Sequence, residues 1–329
     1  MARHGRPTRI RWPLAIVVLI AAGVVAYFLF LPPGGEPEGA DDGAGRTTAE
    51  KKGEPVKPPR PAPPAEQRTA AQAALRRGLA LQKEDNLLAA RAKLSEAALS
   101  GALPPAEARQ ARQAAAELTE RTIFGRELIA GDPYCEAYEV QPEDMLGTLV
   151  EQKDLQIPWE LLVRVNPNVP DEKHVPQRET IKLVRGPCHA IVHKSQFAMD
   201  LYLHRQGQPK VFLRRVPVGL GKDGSTPAGT WRVVLGEKLP EPDYEPQHGT
   251  TISYGQAGYP YGDLGLWIRI DPVDPKQTIP FGRYGIHSTS DPSSIGTESS
   301  GGCIRLRDED MKLVWDLLAG DVSRVEVRK

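Results

Sequence analysis

Cys303 is the residue of this sequence whose chemistry is easiest to interpret, because its neighbours could complete a nucleophilic site. A cysteine attacks as its thiolate, so it needs either a lowered pKa or a base that takes its proton. His287 is the one histidine close to it along the chain, and it could accept the thiol proton and later return one to a leaving amine. The alternative interpretation of Cys303 is a small, buried and inert thiol.

The residues around Cys303 fit an acyl-transfer site. Gly301 and Gly302 directly precede it, so the backbone could approach a substrate there, and the amides of Gly302 and Cys303 could point at a developing oxyanion. Arg305 would share a side of an extended chain with Cys303. It could bind a peptide carboxylate bidentately or form a structural ion pair. A metal site is a poor interpretation, because no two cysteines have the spacing of metal ligands.

The chain around these residues is predicted to be mainly β. Residues 189–329 contain alternating segments with turn residues between them, including AIVHKSQFAMDLYLH, VFLRRVPVGL and LWIRID. Only DEDMKLVWDLL has a helical period, with Asp308 as its expected N-cap. The candidate nucleophile and base therefore belong to a sheet-rich domain.

The residues of this domain resemble the L,D-transpeptidase catalytic domain, also called the YkuD domain. Its signature is a histidine and a small residue, followed later by S-x-G-C-[ILV]-R-[ML]. Here His287–Ser288 and Ser300–Leu306 match it, with further matches at Val218–Gly219, Thr226–Gly229 and GYPYGDLGLWI. Two positions depart from the common pattern: Ser288 replaces a frequent Gly, and Gly301 occupies a place often held by His, Lys or Arg.

The resemblance implies an enzyme that acts on peptidoglycan without a metal or an organic cofactor. Cys303 would attack the carbonyl before the terminal D-amino acid of a stem tetrapeptide, and an amine on another stem would resolve the thioester into a 3→3 cross-link. The sequence leaves the acceptor open, because water would make the enzyme an L,D-carboxypeptidase and a protein lysine would attach a protein to the wall. A non-catalytic scaffold that binds peptidoglycan is the rival from another functional class.

The same resemblance assigns roles to the residues around the nucleophile. The backbone carbonyl of Ser288 would orient the His287 imidazole. Substrate contacts are expected from Ser300 and Arg305, and from Tyr259 or Tyr261 in a segment that would cover the cleft as a lid.

Residues 135–188 have a βααβ pattern that resembles a LysM module, a small domain that binds glycans containing N-acetylglucosamine. The resemblance depends on Tyr138-x-Val140, Asp144 before Met145–Leu146, Asn166–Pro167 and Ile181-x-Leu183. The usual turn glycine is Glu143 here. The module is therefore either a glycan-binding unit or a LysM-like spacer.

Cys135 and Cys188 bracket this module, and its first and last strands are expected to pair and bring its ends together. In an oxidising compartment the two cysteines are natural disulfide partners. Closing a loop of about fifty residues would stabilise the fold by roughly 4 kcal/mol in the chain-entropy model. Cys303 would then remain the unpaired thiol, although a pairing with either of the others is the alternative.

Residues 65–130 are rich in Ala, Leu, Arg, Glu and Gln and are predicted to form three helices, with breaks near Asp85–Asn86 and from Gly101 to Pro105. Gly78, Ala90 and Ala97 fall where a tetratricopeptide-like hairpin has small residues. The segment is either a helical spacer or a groove that binds a protein partner.

The N-terminal residues predict a membrane anchor. Residues 1–13 carry several arginines, and the uncharged residues 14–31 would span about 27 Å as a helix, close to the thickness of a bilayer core. The basic flank places the rest of the chain outside the cytoplasm, in the periplasm or extracytoplasmic envelope. A cleaved signal peptide is the alternative. Residues 32–64 are rich in Pro and Gly and are expected to form an extended linker.

Taken together, the sequence predicts a multidomain protein with an N-terminal transmembrane helix, an α-helical spacer, a small βααβ LysM-like module and a mainly-β L,D-transpeptidase catalytic domain. Lys plus Arg and Asp plus Glu both number 42, so no charge excess favours a nucleic-acid partner. The expected partners are peptidoglycan stem peptides and glycan, with the membrane contacted through the N-terminal helix.

Overall fold

A computed structural model describes residues 63–246, 249–277 and 283–329. The predicted anchor at 14–31, its basic flank and nearly all of the linker lie outside these residues. Within the described ranges, no helix combines the length and the apolar character needed to cross a bilayer. The described helices are α1 (Ala65–Lys83), α2 (Leu87–Leu99), α3 (Pro105–Thr119), α4 (Leu146–Gln152), α5 (Trp159–Val165) and α6 (Asp308–Leu317), and a single π-helical turn (Glu120–Phe124) follows α3.

The C-terminal domain is built on an eight-stranded sheet with the order β11-β9-β8-β7-β12-β3-β4-β5. Its strands are β3 (Cys188–His193), β4 (Ala198–Leu203), β5 (Val211–Pro217), β7 (Gly229–Pro240), β8 (Leu266–Pro272), β9 (Tyr284–Ser288), β11 (Ile304–Leu306) and β12 (Arg324–Arg328). All neighbours are antiparallel except β12 with β3 and β11 with β9. Two short strands, β6 (Leu220–Gly221) and β10 (Glu298–Ser300), pair separately. The prediction of a mainly-β domain is confirmed.

Helices α2 and α3 cover β5, the edge strand of this sheet. The backbone N–H of Phe212 donates to the Ser95 hydroxyl at 2.9 Å, and the Thr119 hydroxyl donates to the Phe212 carbonyl at 2.7 Å. The Phe212 ring is 1% exposed and packs into the alanine- and leucine-rich core of the three helices. An exposed strand edge can pair with another chain. The helices prevent this at β5, because they form hydrogen bonds with its backbone and cover it.

Replacing Phe212 by alanine is expected to destabilise the fold by about 3–5 kcal/mol, since it would leave a cavity where the sheet edge enters the helical core. Urea unfolding followed by circular dichroism measures the loss. Leu235, which is 69% exposed, provides the control: Leu235→Ala should change the unfolding free energy by no more than about 0.5 kcal/mol. A cost below about 1 kcal/mol for the Phe212 variant would show that this contact does not hold the helices to the sheet.

The two breaks between the three helices lie where the sequence predicts, while α3 and its π-helical turn end at Phe124, before the predicted end of the segment at residue 130. Asp85 and Gly101 both have a positive φ, 55° and 66°, and they lie between consecutive helices. Gly78 allows α1 and α2 to approach closely, because a Cβ at this position would lie 2.7 Å from Cγ of Leu94. Ala90 and Ala97 are fully buried in the same core. The likeness to a tetratricopeptide hairpin stays a prediction.

Residues 135–184 fold as strand, helix, helix and strand. The strands β1 (Cys135–Glu139) and β2 (Thr180–Val184) pair in antiparallel register, with Tyr138 opposite Ile181. The buried Asn166 amide donates to the carbonyls of Leu162 and Lys182, which ties the end of α5 to β2. This order of elements is the predicted one, and its assignment as a LysM module stays a prediction.

Lys182 fastens this small module to the helical segment. Its ammonium is almost completely buried and donates to three backbone carbonyls, those of Thr122, Gly125 and Glu127, at 2.7–2.8 Å. These carbonyls lie at and just after the π-helical turn, where a helix end leaves acceptors without backbone partners. The module and the helices are therefore joined by buried polar contacts.

Cys135 and Cys188 are both free, buried thiols, so the predicted disulfide is not formed in the structure. The residue opposite Cys135 is Val184, while Cys188 begins β3 in the other sheet, opposite Leu203. The Cys135 thiol instead contacts the Thr122 carbonyl at 3.7 Å. Burial raises the pKa of Cys135 to about 12 and raises that of Cys188 as well, so neither thiol is activated as a nucleophile.

Candidate active site

The parallel pairing of β11 with β9 brings the predicted nucleophile and base together. Arg305 lies opposite His287 and Ile304 opposite Ile286, so Cys303 lies at the level of Gly285. His287 lies two residues after Gly285 on β9, so its side chain projects from the same face of the strand as Gly285. Two segments that are separate in sequence thus present a thiol and an imidazole to one face of the sheet.

The His287 imidazole is held in one orientation. Its Nδ1 lies 2.6 Å from the carbonyl oxygen of Ser288, which is the contact that the sequence predicts. A carbonyl only accepts, so Nδ1 is the protonated nitrogen and donates, and Nε2 keeps a free lone pair. This tautomer leaves Nε2 as the nitrogen that can take a proton.

Two aromatic rings, those of Tyr261 and Trp267, enclose the imidazole, and the sequence predicts a role only for Tyr261. Trp267 lies opposite His287 on β8 and stacks on its ring, with centroids 5.3 Å apart and planes 19° from parallel. Tyr261 meets the same ring edge-on at 4.8 Å. Trp267 also covers Gly285, where an added Cβ would lie 2.4 Å from the indole. Gly285 therefore has to be glycine for the indole to pack beside the histidine.

Burial sets the protonation states of the two residues. Burial lowers the pKa of His287 to about 4, and the positive charge of Arg305 also lowers it. The hydrogen bond to the Ser288 carbonyl has the opposite effect, because it favours the charged ring. Burial also raises the pKa of the Cys303 thiol, opposed by the Gly285 backbone and by Arg305. At neutral pH the pair is a thiol and a neutral imidazole. Catalysis by this pair requires that the imidazole take the thiol proton during the reaction.

A hydrogen-bonded turn fixes the backbone before Cys303. Gly302 has φ of 139°, and a Cβ there would lie 2.5 Å from the Tyr284 ring, so this position requires glycine. Its N–H donates to the Ser300 hydroxyl at 3.1 Å, and that hydroxyl donates to the Cys303 carbonyl at 2.7 Å. Gly301 is exposed, with open space where a Cβ would project.

These contacts correct two predictions. The Gly302 amide was expected to point at the oxyanion, but Ser300 already accepts its hydrogen bond. Ser300 was expected to contact substrate, but it is 4% exposed and its hydroxyl closes the turn. The Cys303 amide is the remaining predicted oxyanion donor. The physical reason is local, because the Ser300 hydroxyl lies close enough to both the Gly302 N–H and the Cys303 carbonyl to form hydrogen bonds with both of them.

Thr226 connects this turn to a second loop. Its hydroxyl donates to the Gly302 carbonyl at 2.8 Å and accepts from the Gly221 amide at 2.8 Å. Tyr284 donates to the neighbouring Ser225 carbonyl at 3.0 Å. Thr226 is part of the Thr226–Gly229 match to the family pattern. That match indicates the loop, but the sequence does not predict this role of the threonine.

The segment expected to form a lid is anchored to β9. The Ser288 hydroxyl donates to the Tyr261 carbonyl and accepts from the Leu266 amide, and the Ser290 amide donates to the Pro260 carbonyl. The serine that replaces a common glycine thus tethers this segment. The two predicted tyrosines also separate: Tyr261 contacts His287, while Tyr259 is buried and donates its hydroxyl to Pro242.

Arg305 is partly exposed beside the histidine. Its guanidinium contacts the Ser299 hydroxyl at 3.4 Å, and within the described ranges no carboxylate forms an ion pair with it. Its backbone pairs with Gly219, which fixes the strand, and its charge helps to lower the pKa of the Asp291 carboxyl without forming an ion pair with it. The alternative of a structural ion pair finds no partner in that part of the chain, and the charge is available to an anionic group of a substrate.

The described residues contain no group of three side chains arranged to hold a metal ion. The groups that the site does contain, a thiol, a positioned neutral base, a backbone amide and a nearby guanidinium, can perform nucleophilic chemistry. This set of groups is suited to acyl transfer through a thioester.

Comparison with known proteins supports the same interpretation. Residues 189–327 match the family described as the YkuD L,D-transpeptidase catalytic domain. The chain is 32% identical to the probable L,D-transpeptidase ErfK/SrfK of Escherichia coli (strain K12) over 103 residues, which are 30% of this chain and 32% of that protein. It is 31% identical to the probable L,D-transpeptidase YbiS of the same strain over 121 residues, which are 36% and 38% of the two chains. The matched segment thus spans about a third of these curated relatives.

Among solved structures, the L,D-transpeptidase from Mycobacterium smegmatis aligns over 46% of this chain and 63% of its own, at 17% identity and a TM-score of 0.32. The structure of LdtMt1 in complex with imipenem aligns over 46% and 64%, at 18% identity and a TM-score of 0.31. The resemblance read from His287 and Ser300–Leu306 is confirmed for residues 189–327 by the family match.

Proposed function

We propose, from the YkuD-type L,D-transpeptidase catalytic domain that residues 189–327 form, that this protein cross-links peptidoglycan stem peptides through a cysteine acyl-enzyme. The observation that carries the proposal is the pairing of β11 with β9, which sets Cys303 beside a histidine whose Nδ1 is fixed by the Ser288 carbonyl. A buried structural thiol would need neither the oriented base nor the glycine turn before it.

The proposed reaction uses each of these groups in turn. Nε2 of His287 takes the Cys303 proton, and the thiolate attacks the carbonyl that precedes the terminal D-amino acid of a tetrapeptide. The Cys303 amide donates to the oxyanion, and the imidazolium then protonates the leaving amine. A thioester remains. An amine of a diamino acid on another stem attacks it, gives its proton to His287 and releases the thiol, forming a 3→3 cross-link.

Arg305 is proposed to bind a carboxylate of the substrate, since its charge has no carboxylate partner in the described ranges. Tyr261 is proposed to contact the substrate where it covers the histidine. These are positions next to the reacting atoms, whereas Ser300 and Thr226 act by holding the turn.

The remaining parts of the chain are proposed to bring the enzyme to its substrate. Residues 14–31 would anchor it in the cell membrane, and residues 32–64 would hold the folded part at a distance on the extracytoplasmic side. The βααβ module would bind the glycan strand as a LysM-type unit. Peptidoglycan would then be contacted through both its peptides and its sugars.

Two further acceptors use the same first half-reaction. Water would convert the thioester into a trimmed tripeptide, and a protein lysine would attach that protein to the wall. A scaffold that only binds peptidoglycan is the alternative without chemistry.

The test is incubation of the purified protein with disaccharide-tetrapeptides that contain a diamino acid, followed by mass spectrometry of the products and of the intact protein. Dimers joined through their third residues, with release of the terminal D-residue, are expected. Tripeptides without dimers would identify a carboxypeptidase. No turnover, together with no carbapenem adduct on Cys303 of the folded protein, would contradict the proposal and favour the scaffold.

A further inference from the structure

Trp267 is the side chain that lies flat against the base of the proposed reaction. It stands opposite His287 in the antiparallel register of β8 with β9, so both side chains project from the same face of the sheet. Its indole stacks on the imidazole, with ring centroids 5.3 Å apart and ring planes 19° from parallel. The indole is partly exposed, so it forms a wall of the site in addition to packing on the sheet.

Gly285 gives the indole room to lie there. A Cβ at this position would lie 2.4 and 2.5 Å from Cζ2 and Cη2 of the Trp267 indole. The backbone of Gly285 also contacts the Cys303 thiol, where it opposes the rise of the thiol pKa that burial causes. The indole therefore covers the part of β9 that lies beside both reacting residues.

The imidazole has no permanent counter-ion for the charge that it acquires in the reaction. His287 is 5% exposed, and the partner of its Nδ1 is a neutral carbonyl, that of Ser288. Among the residues that the structure describes, no carboxylate forms an ion pair with His287. The ionisable groups around it are the Cys303 thiol, the Tyr261 phenol and the Arg305 guanidinium, whose charge disfavours a second cation. A buried cation without a partner is costly, so another group has to stabilise it.

The indole has the geometry to do this. The face of a tryptophan ring attracts a cation that lies within about 6 Å of its centroid, and the attraction is strongest where water is excluded. The stacked imidazole already lies within that distance, so the ring needs no movement when it becomes charged. The same stacking limits the rotation of the imidazole, which keeps Nε2 in one direction while Nδ1 is held by the carbonyl.

We propose that Trp267 is a positioning residue for the base: its indole face holds the His287 ring in place and stabilises the imidazolium that forms when Nε2 takes the proton from Sγ of Cys303. The inference rests on the proposed function, because it concerns the base of that reaction. The stabilisation is needed most after the thiolate has attacked, since the thiolate charge has then passed to the oxyanion while the imidazolium still holds its proton.

The test compares Trp267→Leu with Trp267→Phe, two apolar replacements of similar bulk of which only phenylalanine keeps an aromatic face. NMR of the His287 imidazole between about pH 2 and 7 gives its protonation midpoint without any turnover. The parental midpoint is expected at about 4. That of Trp267→Leu should lie about one pH unit lower, and that of Trp267→Phe within about half a unit of the parent. If the indole only excluded water, the midpoint of Trp267→Leu would rise towards the ordinary value of histidine.

Acylation of Cys303 by a carbapenem provides the kinetic readout. At neutral pH the Trp267→Leu variant should react about three- to tenfold more slowly than the parent, because its base is weaker, and Trp267→Phe within about twofold. At about pH 4 the parent should have lost roughly half of its plateau rate, whereas Trp267→Leu should keep most of its own lower plateau. The matched control is Trp159→Leu, which removes a partly buried indole from α5 and should match the parent in both readouts.

Gly285→Ala separates the two rings by a second route that does not depend on the folding of Trp267→Leu. The added Cβ displaces the indole, so the midpoint of His287 should again fall. A midpoint that stayed or rose when the indole was replaced by leucine would overturn the inference, as would a phenylalanine variant that behaved like the leucine variant. A folded parent that formed no carbapenem adduct would instead contradict the proposed function, and the titration would still decide the role of Trp267.

Discussion

Replacing Cys303 by alanine is expected to abolish acyl-enzyme formation and to reduce product formation by at least about 10³-fold, to the background rate. Cys303, at the level of Gly285 on β9, supplies the thiol, and the thioester cannot form without it. Intact-protein mass spectrometry after addition of tetrapeptide or of a carbapenem measures the adduct, and muropeptide analysis measures the products. The alanine should leave the fold unchanged, because the turn before it is held by Ser300, Gly302 and Thr226.

Cys135→Ala is the matched control for this result. Cys135 is a buried thiol whose pKa is raised to about 12, and it lies in the small module and not at the site. Its variant should form the adduct and the products at the parental rate as long as it unfolds cooperatively. If the Cys303 variant made the same dimers as the parent, the nucleophile would be a different residue.

Replacing His287 by glutamine is expected to lower the rate of acylation by about 10²–10⁴-fold at neutral pH, since the amide cannot accept the thiol proton. The pH profile gives a second readout. Because burial lowers the pKa of His287 to about 4, the base is neutral above that pH, and the parental rate should fall only as the pH drops through about 4. The variant should lose this acidic limb. Its rate should rise steadily as the solution becomes more alkaline and more of the Cys303 thiol, whose pKa is raised, is ionised.

His189 provides the control for this profile. It is a partly buried histidine on β3 whose pKa is also lowered to about 4 by burial, and its Nδ1 accepts from the Arg324 amide at 3.0 Å. His189→Gln should keep both the parental acylation rate and the acidic limb. An acidic limb that persisted in the His287 variant would assign the essential base to another group. Stopped-flow measurement of adduct formation between about pH 3 and 9 covers the range that decides this.

The sequence by itself determined the chemistry of the site and the kinds of element around it. The spacing from His287 through Ser300–Leu306 predicts the candidate nucleophile and base, and the family resemblance that it carries is matched over residues 189–327, because short motifs encode the residue types that a reaction needs. The alternation of residues 189–329 and the breaks at Asp85 and Gly101 gave the strands and helices, because local periodicity and turn residues act within a few positions.

Only the tertiary structure decided how these parts meet. The parallel register of β11 with β9 and the stacking of Trp267 on His287 both bring together segments that are separate in sequence. The same holds for Cys135 and Cys188, which begin strands of different sheets and are both free, buried thiols.

The packing of the helices against the sheet is the clearest example of a feature that only the tertiary structure decides. Their alanine- and arginine-rich sequence fits a spacer as well as a groove, yet Ser95 and Thr119 satisfy the backbone of the edge strand at Phe212. No local pattern predicts which strand a helix covers, because that choice follows from the backbone groups and apolar surface that the folded sheet leaves open. Sequence thus specified the candidate reactive groups, and packing specified their partners.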